Sequence, residues 1–338
     1  MPLGPQGFYN KLEHHHDSAK DWVVVNWNLG NMCNFKCSYC PSILNDGSFG
    51  WNDFAVVQTF IDECVTHYHP RKVYFEFTGG EVTLWKDFVK CAEYIKGIGH
   101  DVGFISNGSR TLRWWETNKE KFDHVCLSFH SEHSDPEHFI KVVEIMSKVC
   151  RTHVNVMMHY EPKLWPVCQD VAERVIAVDD ISLALQPLII DFGEELFSYT
   201  DNQIDYIDKQ WHNLGSKIVH TRDHSKKLYR GSMDMVDEVN DLRSNSSAHR
   251  FINDKTNNWK GWDCWAGIEQ IVIDFDGSIM RGWCRVGGVF GNIKHPSKIV
   301  WPKKPVRCNK SMCHCNFDIM TTKVLPKERY EIDEDDDV

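Results

Sequence analysis

The run Cys33-Asn34-Phe35-Lys36-Cys37-Ser38-Tyr39-Cys40 constrains this chain more than any other stretch. Its three cysteines leave gaps of three and two residues, close enough for three thiolates to grip one face of a metal cluster. A cluster of four irons takes four ligands, usually cysteine thiolates, and the local sequence supplies three. By the logic that separates closed structural metal sites from open catalytic ones, a three-ligand site leaves one metal position free for a substrate. A zinc site, or clustered structural cysteines, is the other reading of the same spacing. Just upstream, Val23-Val24-Val25-Asn26-Trp27 is a β-branched run that predicts a strand delivering the loop.

Composition narrows the setting. At 338 residues the chain is long enough for one large domain and a smaller one. No apolar run approaches the roughly 20 residues that span a bilayer. The N-terminal stretch, with Glu13-His14-His15-His16-Asp17, lacks the basic-then-apolar pattern of a signal peptide. The expected location is the cytoplasm, with no membrane partner. Thirteen cysteines in a reducing compartment argue for metal rather than disulfides. A net charge of −10 argues against broad nucleic-acid binding. The three histidines have no spaced partner and read as a solvated loop.

Taken in order, residues 1–21 form a polar lead-in. Strands are expected at 23–27, 73–77, 102–105, 125–130, 154–158 and 181–190, separated by helical patterns such as 86–98, 114–121 and 135–149. Such alternation builds parallel βα units with right-handed crossovers. Six units make an α/β fold, a partial (β/α)6 barrel over residues 22–200, whose sites lie at the carboxyl ends of the strands. The cysteine loop, Thr78-Gly79-Gly80-Glu81, Ser106-Asn107-Gly108 and His130 all fall there. Paired glycines at a strand end let backbone approach a ligand, or simply make a turn. Asn-Gly carries the same two readings. In the strand at 125–130, alternation sends Val125, Leu127 and Phe129 under the helices and Cys126, Ser128 and His130 inward. His130 is then a ligand contact or a satisfied group at the strand end, and Cys126 a possible hydrogen-atom donor in an epimerisation. Cys64, Cys91, Cys150 and Cys168 sit in apolar patterns as small hydrophobic residues.

Residues 201–257 read as a polar, helical bridge without chemistry. A second cysteine-rich unit covers 258–322. Cys264, an Asp276-Gly277 hairpin, Cys284 and then Cys308, Cys313 and Cys315 bring five cysteines into about fifty residues. Four thiolates satisfy an iron–sulfur cluster or a tetrahedral zinc. Trp259, Trp262, Trp265 and Trp283 crowd the same unit, to bury a cluster or to stack a planar substrate. Residues 323–338 end in the acidic run 331–337 and read as a disordered tail.

The first cysteine stretch resembles the signature of the radical S-adenosylmethionine (radical SAM) enzymes, C-x3-C-x-aromatic-C, with Tyr39 in the aromatic slot. The resemblance implies that Cys33, Cys37 and Cys40 hold a [4Fe–4S] cluster whose fourth iron chelates the amino and carboxylate groups of SAM. It assigns the backbone of Gly79 and Gly80, with Glu81 nearby, to the SAM amino group. It makes Ser106 and Asn107 the polar element that contacts SAM at the next strand end. Tyr39 and Ser128 join the cofactor-binding candidates, and His130 joins the three cysteines as a catalytic one. The C-terminal unit resembles the twitch domain, a shortened relative of the SPASM domain, which carries an auxiliary iron–sulfur cluster. Its last group is C-x4-C-x-C rather than C-x2-C, so the choice among Cys308, Cys313 and Cys315 stays open beside Cys264 and Cys284.

The activity so implied is reductive cleavage of SAM, with the 5′-deoxyadenosyl radical abstracting hydrogen from a small polar metabolite in an oxidation, epimerisation or rearrangement. A one-electron reductant such as flavodoxin or ferredoxin is the expected partner. A modified ribosomal peptide is not favoured, because no extra N-terminal domain precedes the barrel. Two other readings stand: the same core with a structural zinc site, or a non-catalytic metal-binding interaction module.

Overall fold

The computed structural model describes residues 9–190, 195–215, 232–313 and 315–326. The acidic run at 331–337 lies outside them. Two compact units divide the chain: Trp27–Phe54 with Phe75–Lys227, and Met1–Asn26 with Ala55–Tyr74 and Leu228–Val338. No helix among the described residues is long and apolar enough to cross a membrane.

The chain begins with β1 (Lys11–His14), β2 (Trp22–Gly30), α1 (Phe54–Tyr68) and β3 (Lys72–Gly79). Alternation then continues as α2 (Phe88–Gly97), β4 (Asp101–Ser106), α3 (Leu112–Asn118), β5 (His124–His130), α4 (Pro136–Ser147), β6 (Arg151–Met158), α5 (Trp165–Ile176), β7 (Ile181–Pro187) and α6 (Asp201–Gly215). Strands β2 to β7 stand side by side in chain order, and the pairs from β4 to β7 are parallel. This is the expected six-stranded partial barrel. In β6 the alternation is complete: Thr152, Val154, Val156 and Met158 are buried, while Arg151, His153, Asn155 and Met157 are only half-buried. Phe129 of β5 packs edge-on against Phe139 of α4 at 5.2 Å.

Local chemistry sets the helix ends. The Asp135 side chain accepts from the His138 N–H at 2.7 Å, and Pro136 opens α4 at its first turn. Helix α3 starts earlier than its apolar pattern suggests because Thr111 caps it, accepting from the Trp114 N–H at 3.3 Å. Strand β7 stops at Pro187, three residues short of expectation, since proline brings no N–H to a ladder.

The other unit adds β8 (Met233–Asp237), β9 (Leu242–Ser246), α7 (Ala248–Asn253), β10 (Asp263–Cys264), β11 (Gln270–Ile273), β12 (Ser278–Met280), β13 (Val289–Asn292), β14 (Val306–Arg307), α8 (Asn316–Ile319) and β15 (Lys323–Val324). One antiparallel sheet runs β14-β10-β15-β1-β8-β9. The expected hairpin is β11–β12, with Gly277 at φ +86 in its turn, and β13 extends it.

Three sequence expectations are corrected here. The lead-in 1–21 is not all loop: Leu12 of β1 is fully buried, and His14 is buried beside Glu269 at 3.4 Å rather than solvated. The bridge 201–257 is not wholly helical, because 233–246 forms the β8–β9 hairpin, with Met233 and Met235 packed against Phe251, Trp259 and Ile319. The expected tail begins too early, since Lys323 and Val324 form a strand against β1 and β10. The first and third corrections share a cause: β1 and β15 pair with strands far away in the chain, beyond the reach of local pattern.

Asp234 pins this sheet. Its carboxylate lies 2.9 Å from His15 Nδ1 and accepts from Asn245 Nδ2 at 2.7 Å, with Arg243 at 3.5 Å. Burial pushes its pKa up, but these partners outweigh it and hold the carboxyl below the usual range. Such a depressed carboxylate adds stability above its unfolded value of about 3.9 and loses it as pH falls through the folded value. Asp234→Ala should therefore cost about 1–3 kcal/mol in urea unfolding at pH 7. The gap from the native protein should shrink at pH 3, where a purely steric effect would persist.

Candidate functional site

The cysteine loop leaves β2 and is tied down at both ends by Asn31, which is fully buried. Its Nδ2 donates to Ile43 O at 2.7 Å and Asp46 Oδ1 at 2.8 Å, and its Oδ1 accepts from the Phe49 N–H at 2.8 Å. Lys36 Nζ donates to Asn45 O across the same loop. The end of β3 then clamps the loop's base: the Gly80 N–H donates to Gly30 O, and the Glu81 N–H to Met32 O, both at 2.8 Å. A Cβ on Gly80 would collide with the Met32 carbonyl and sit 2.8 Å from the Asn31 carbonyl carbon. Glycine at position 80 is thus required by backbone passing backbone.

Glu81 is 1% exposed, and its carboxylate is fully engaged by protein. Oε1 accepts from Thr83 Oγ1 at 2.5 Å and Ser106 Oγ at 2.9 Å, while Oε2 accepts from the Asn107 N–H at 2.7 Å. Burial raises its pKa, against the pull of these donors. It joins the ends of β3 and β4 and so sets Asn107, whose Nδ2 donates to Asn34 Oδ1 at 3.0 Å and lies 3.9 Å from Cys33 Sγ.

Cys33, Cys37 and Cys40 are brought together. The Phe35 N–H donates to Cys33 Sγ at 3.4 Å, and the Cys40 N–H to Cys37 O at 3.1 Å. Burial pushes all three thiols up, Cys37 to about 12, and charge on Cys33 further raises Cys37 and Cys40. Three crowded thiols that resist ionising alone suit a metal cluster, whose positive charge makes them thiolates.

The ends of β5 and β6 complete the rim. Tyr39 Oη lies 2.7 Å from His130 Nδ1, and the two rings stack at 6.1 Å. Burial pushes the His130 pKa down to about 4, which favours the neutral imidazole beside the Tyr39 hydroxyl at pH 7. Glu132 accepts from the Ser38 N–H at 2.7 Å and from Ser38 Oγ at 2.5 Å, and lies 3.0 Å from His159 Nε2. Burial raises its pKa, but Ser38 and His159 outweigh that and hold it below the usual range. Cys37, Glu132 and His133 present ligand atoms within 4.8 Å of one another. Sequence reasoning missed Asn31, Asn34, Glu132, His133 and His159. The last three follow strand ends, and that position was the available signal. Ser128 is buried beside Cys126, on the same face of β5, and the Cys126 thiol accepts from Asn155 Nδ2 at 3.3 Å.

The other unit holds a cavity walled by Cys264, Cys284, Cys308 and Cys313 with Asp318 and Lys323. Cys315 does not line it; its side chain caps α8, accepting from the Asp318 N–H at 3.3 Å. The buried Asp318 carboxylate accepts from the Cys284 N–H at 2.7 Å, the Trp283 N–H at 3.1 Å and Gln270 Nε2 at 3.1 Å. Lys323, 2% exposed, donates to the carbonyls of Asp318, Ile319 and Thr321 at 2.7, 3.0 and 2.9 Å. Its charge favours thiolate at Cys264 and Cys313, whose pKa values burial otherwise raises. Four such thiols fit a four-coordinate metal centre. Trp259 and Trp262 are buried, and Trp283 Nε1 donates to Asn26 Oδ1 at 3.0 Å, so these rings wall the unit instead of offering an open stacking face. Asp318→Ala strips three donors of their acceptor, the Gln270 amide buried and the Trp283 and Cys284 N–H groups part-buried. It should lower this unit's stability by about 2–4 kcal/mol and weaken its metal retention, read by metal analysis after gel filtration.

Comparison with known proteins comes to the same place. Residues 27–162 match the sequence model of the Radical SAM superfamily. No curated protein matches the chain. Among solved structures, SuiB of Streptococcus suis bound to its precursor peptide SuiA is similar at 12% identity and a TM-score of 0.52, over 83% of this chain and 65% of that one. The chain thus covers less than two thirds of SuiB. Native anSMEcpe with bound AdoMet gives 15% identity and a TM-score of 0.45, over 81% of this chain and 78% of that one. At such identity the SuiB likeness speaks for fold alone. Residues 27–162, which carry the cysteine loop and the strand ends of the parallel barrel around it, are thus the part of the chain that is similar to the radical SAM superfamily.

Proposed function

We propose that this chain is a radical SAM enzyme with an auxiliary iron–sulfur centre. The observation that carries the reading is the cysteine loop itself, locked to β3 through Gly80 and Glu81 and to the β4 end through Asn107. Cys33, Cys37 and Cys40 would hold a [4Fe–4S] cluster. When bound, that cluster supplies the electron that splits SAM into methionine and a 5′-deoxyadenosyl radical, which takes hydrogen from substrate. The protein's part is placement. Glu81 fixes Ser106 and Asn107 against the loop, Tyr39 rests on neutral His130, and Glu132 holds the Ser38 backbone between two ligands.

Cys264, Cys284, Cys308 and Cys313 are the proposed ligands of the twitch-like second centre, with Cys315 left to cap α8. The substrate of this reading is a small polar metabolite. SuiB, bound to a precursor peptide, makes a peptide the second class to test. A flavodoxin- or ferredoxin-type reductant supplies the electron.

Anaerobic reconstitution followed by iron, sulfide and zinc analysis tests the two-cluster reading. About eight irons per chain are expected. About four irons with one zinc would instead make the second centre structural, and no bound iron would remove the enzyme reading altogether.

A further inference from the structure

From residue 281 to 310 the chain carries eight lysines and arginines and no aspartate or glutamate, in a protein of net charge −10. Lys294, Lys298, Lys303, Lys304 and Lys310 are exposed, and none has a carboxylate within 4 Å among the described residues. Arg285 and Arg307 differ, each pairing with an aspartate at 2.8 Å.

The segment folds into one piece. Arg281 Nη1 donates to Ala266 O at 3.1 Å and Lys304 O at 2.9 Å, and the Val300 N–H donates to Phe290 O at 3.0 Å. Val289 and Val300 stand 60% and 75% exposed within it. The same segment contributes Cys284, Cys308 and Lys310 to the cysteine cavity. Five exposed lysines without carboxylate partners, carried on one ordered segment that has no acid of its own, give it a positive charge that an external anion can neutralise.

The available anions can be sorted by chemistry. Single-stranded nucleic acid needs open aromatic faces for its bases. Here Trp301 is stacked on His67 at 4.3 Å and 8°, and Trp283 is bonded to Asn26. The acidic remainder of the chain also repels a long polyanion. A compact acidic protein needs only a small charged footprint with some exposed apolar surface, and Val289 and Val300 offer the latter on the same segment.

We propose that the 281–310 face docks an acidic one-electron carrier, a small flavin- or iron–sulfur-bearing protein, and passes its electron to the neighbouring four-cysteine centre. The docking rests on charge; the electron step rests on the proposed iron–sulfur occupancy of that centre. The carrier is oxidised by one electron and the centre reduced by one, and no bond forms or breaks.

The test uses the reconstituted protein and an acidic flavodoxin as probe. Oxidised flavodoxin should bind at low ionic strength and weaken steeply with added salt. The triple variant Lys298→Glu/Lys303→Glu/Lys304→Glu should bind at least tenfold more weakly, and the triple Lys→Arg variant should bind like the native chain. In stopped flow, the triple Glu variant should be reduced by reduced flavodoxin at least tenfold more slowly. Its reduction by photoreduced deazariboflavin, a small neutral donor, should be unchanged. Binding indifferent to charge reversal, tighter binding of an RNA oligomer than of flavodoxin, or equal slowing with both donors each overturns the proposal. Should the second centre prove to hold zinc, the electron step fails with the two-cluster reading, while the binding arm still decides the docking surface.

Discussion

Cys37→Ala should abolish SAM cleavage, by at least about 1,000-fold, equivalent to about 4 kcal/mol of barrier, while the four-cysteine centre keeps its absorption. Cys37 is the middle one of the three proposed ligands, 8% exposed, with its thiol pushed up to about 12 by burial and by Glu132, Cys40 and Cys33. Removing it leaves two thiols on a site that needs three, and bound iron should fall by about four per chain. Glu132 and His133 lie close to the vacated position and are the groups that could partly replace it. The Cys37→Ala/His133→Ala double variant separates that rescue from residual activity. Equal loss of both centres would mean that the two sites are not independent.

Gly80→Ala should cost about 3 kcal/mol of stability and release iron from the first centre alone. The new Cβ meets the Met32 carbonyl and the Asn31 backbone, neither of which is a flexible side-chain end. Either the β3 end or the cysteine loop must retreat, and both anchoring bonds, Gly80 N–H to Gly30 O and Glu81 N–H to Met32 O, lengthen together. Gly97→Ala is the control. It sits at the end of α2 with nothing within 4 Å of the added carbon, and should be neutral or slightly stabilising. Thermal unfolding with iron analysis on both variants checks the pair. A Gly80→Ala protein that retains full iron would show that the loop does not depend on this clamp.

Local pattern made the barrel legible. Its strands pair in chain order, so each βα unit could be read from its own alternation and capping residues. The strand-end rule likewise located the cysteine loop, Gly80, Asn107 and His130. What stayed hidden was what a side chain does once it is there. Glu81 reads as a ligand contact, yet its carboxylate is consumed by Thr83, Ser106 and Asn107. Glu132 and His159 carry no motif, and only folding brings them to Ser38. The antiparallel sheet was equally out of reach, since Leu12 pairs with Met235 and Lys323 across the length of the chain. The five late cysteines could be counted but not sorted, because only the cavity separates the four that line it from Cys315 at the start of α8.

One measurement bears most directly on the enzyme reading. The anaerobically reconstituted protein is mixed with dithionite and SAM, and 5′-deoxyadenosine is quantified by chromatography. The expected result is its formation above background, abolished in Cys37→Ala. A protein with its first cluster intact by iron and spectroscopy, yet making none, would contradict the account.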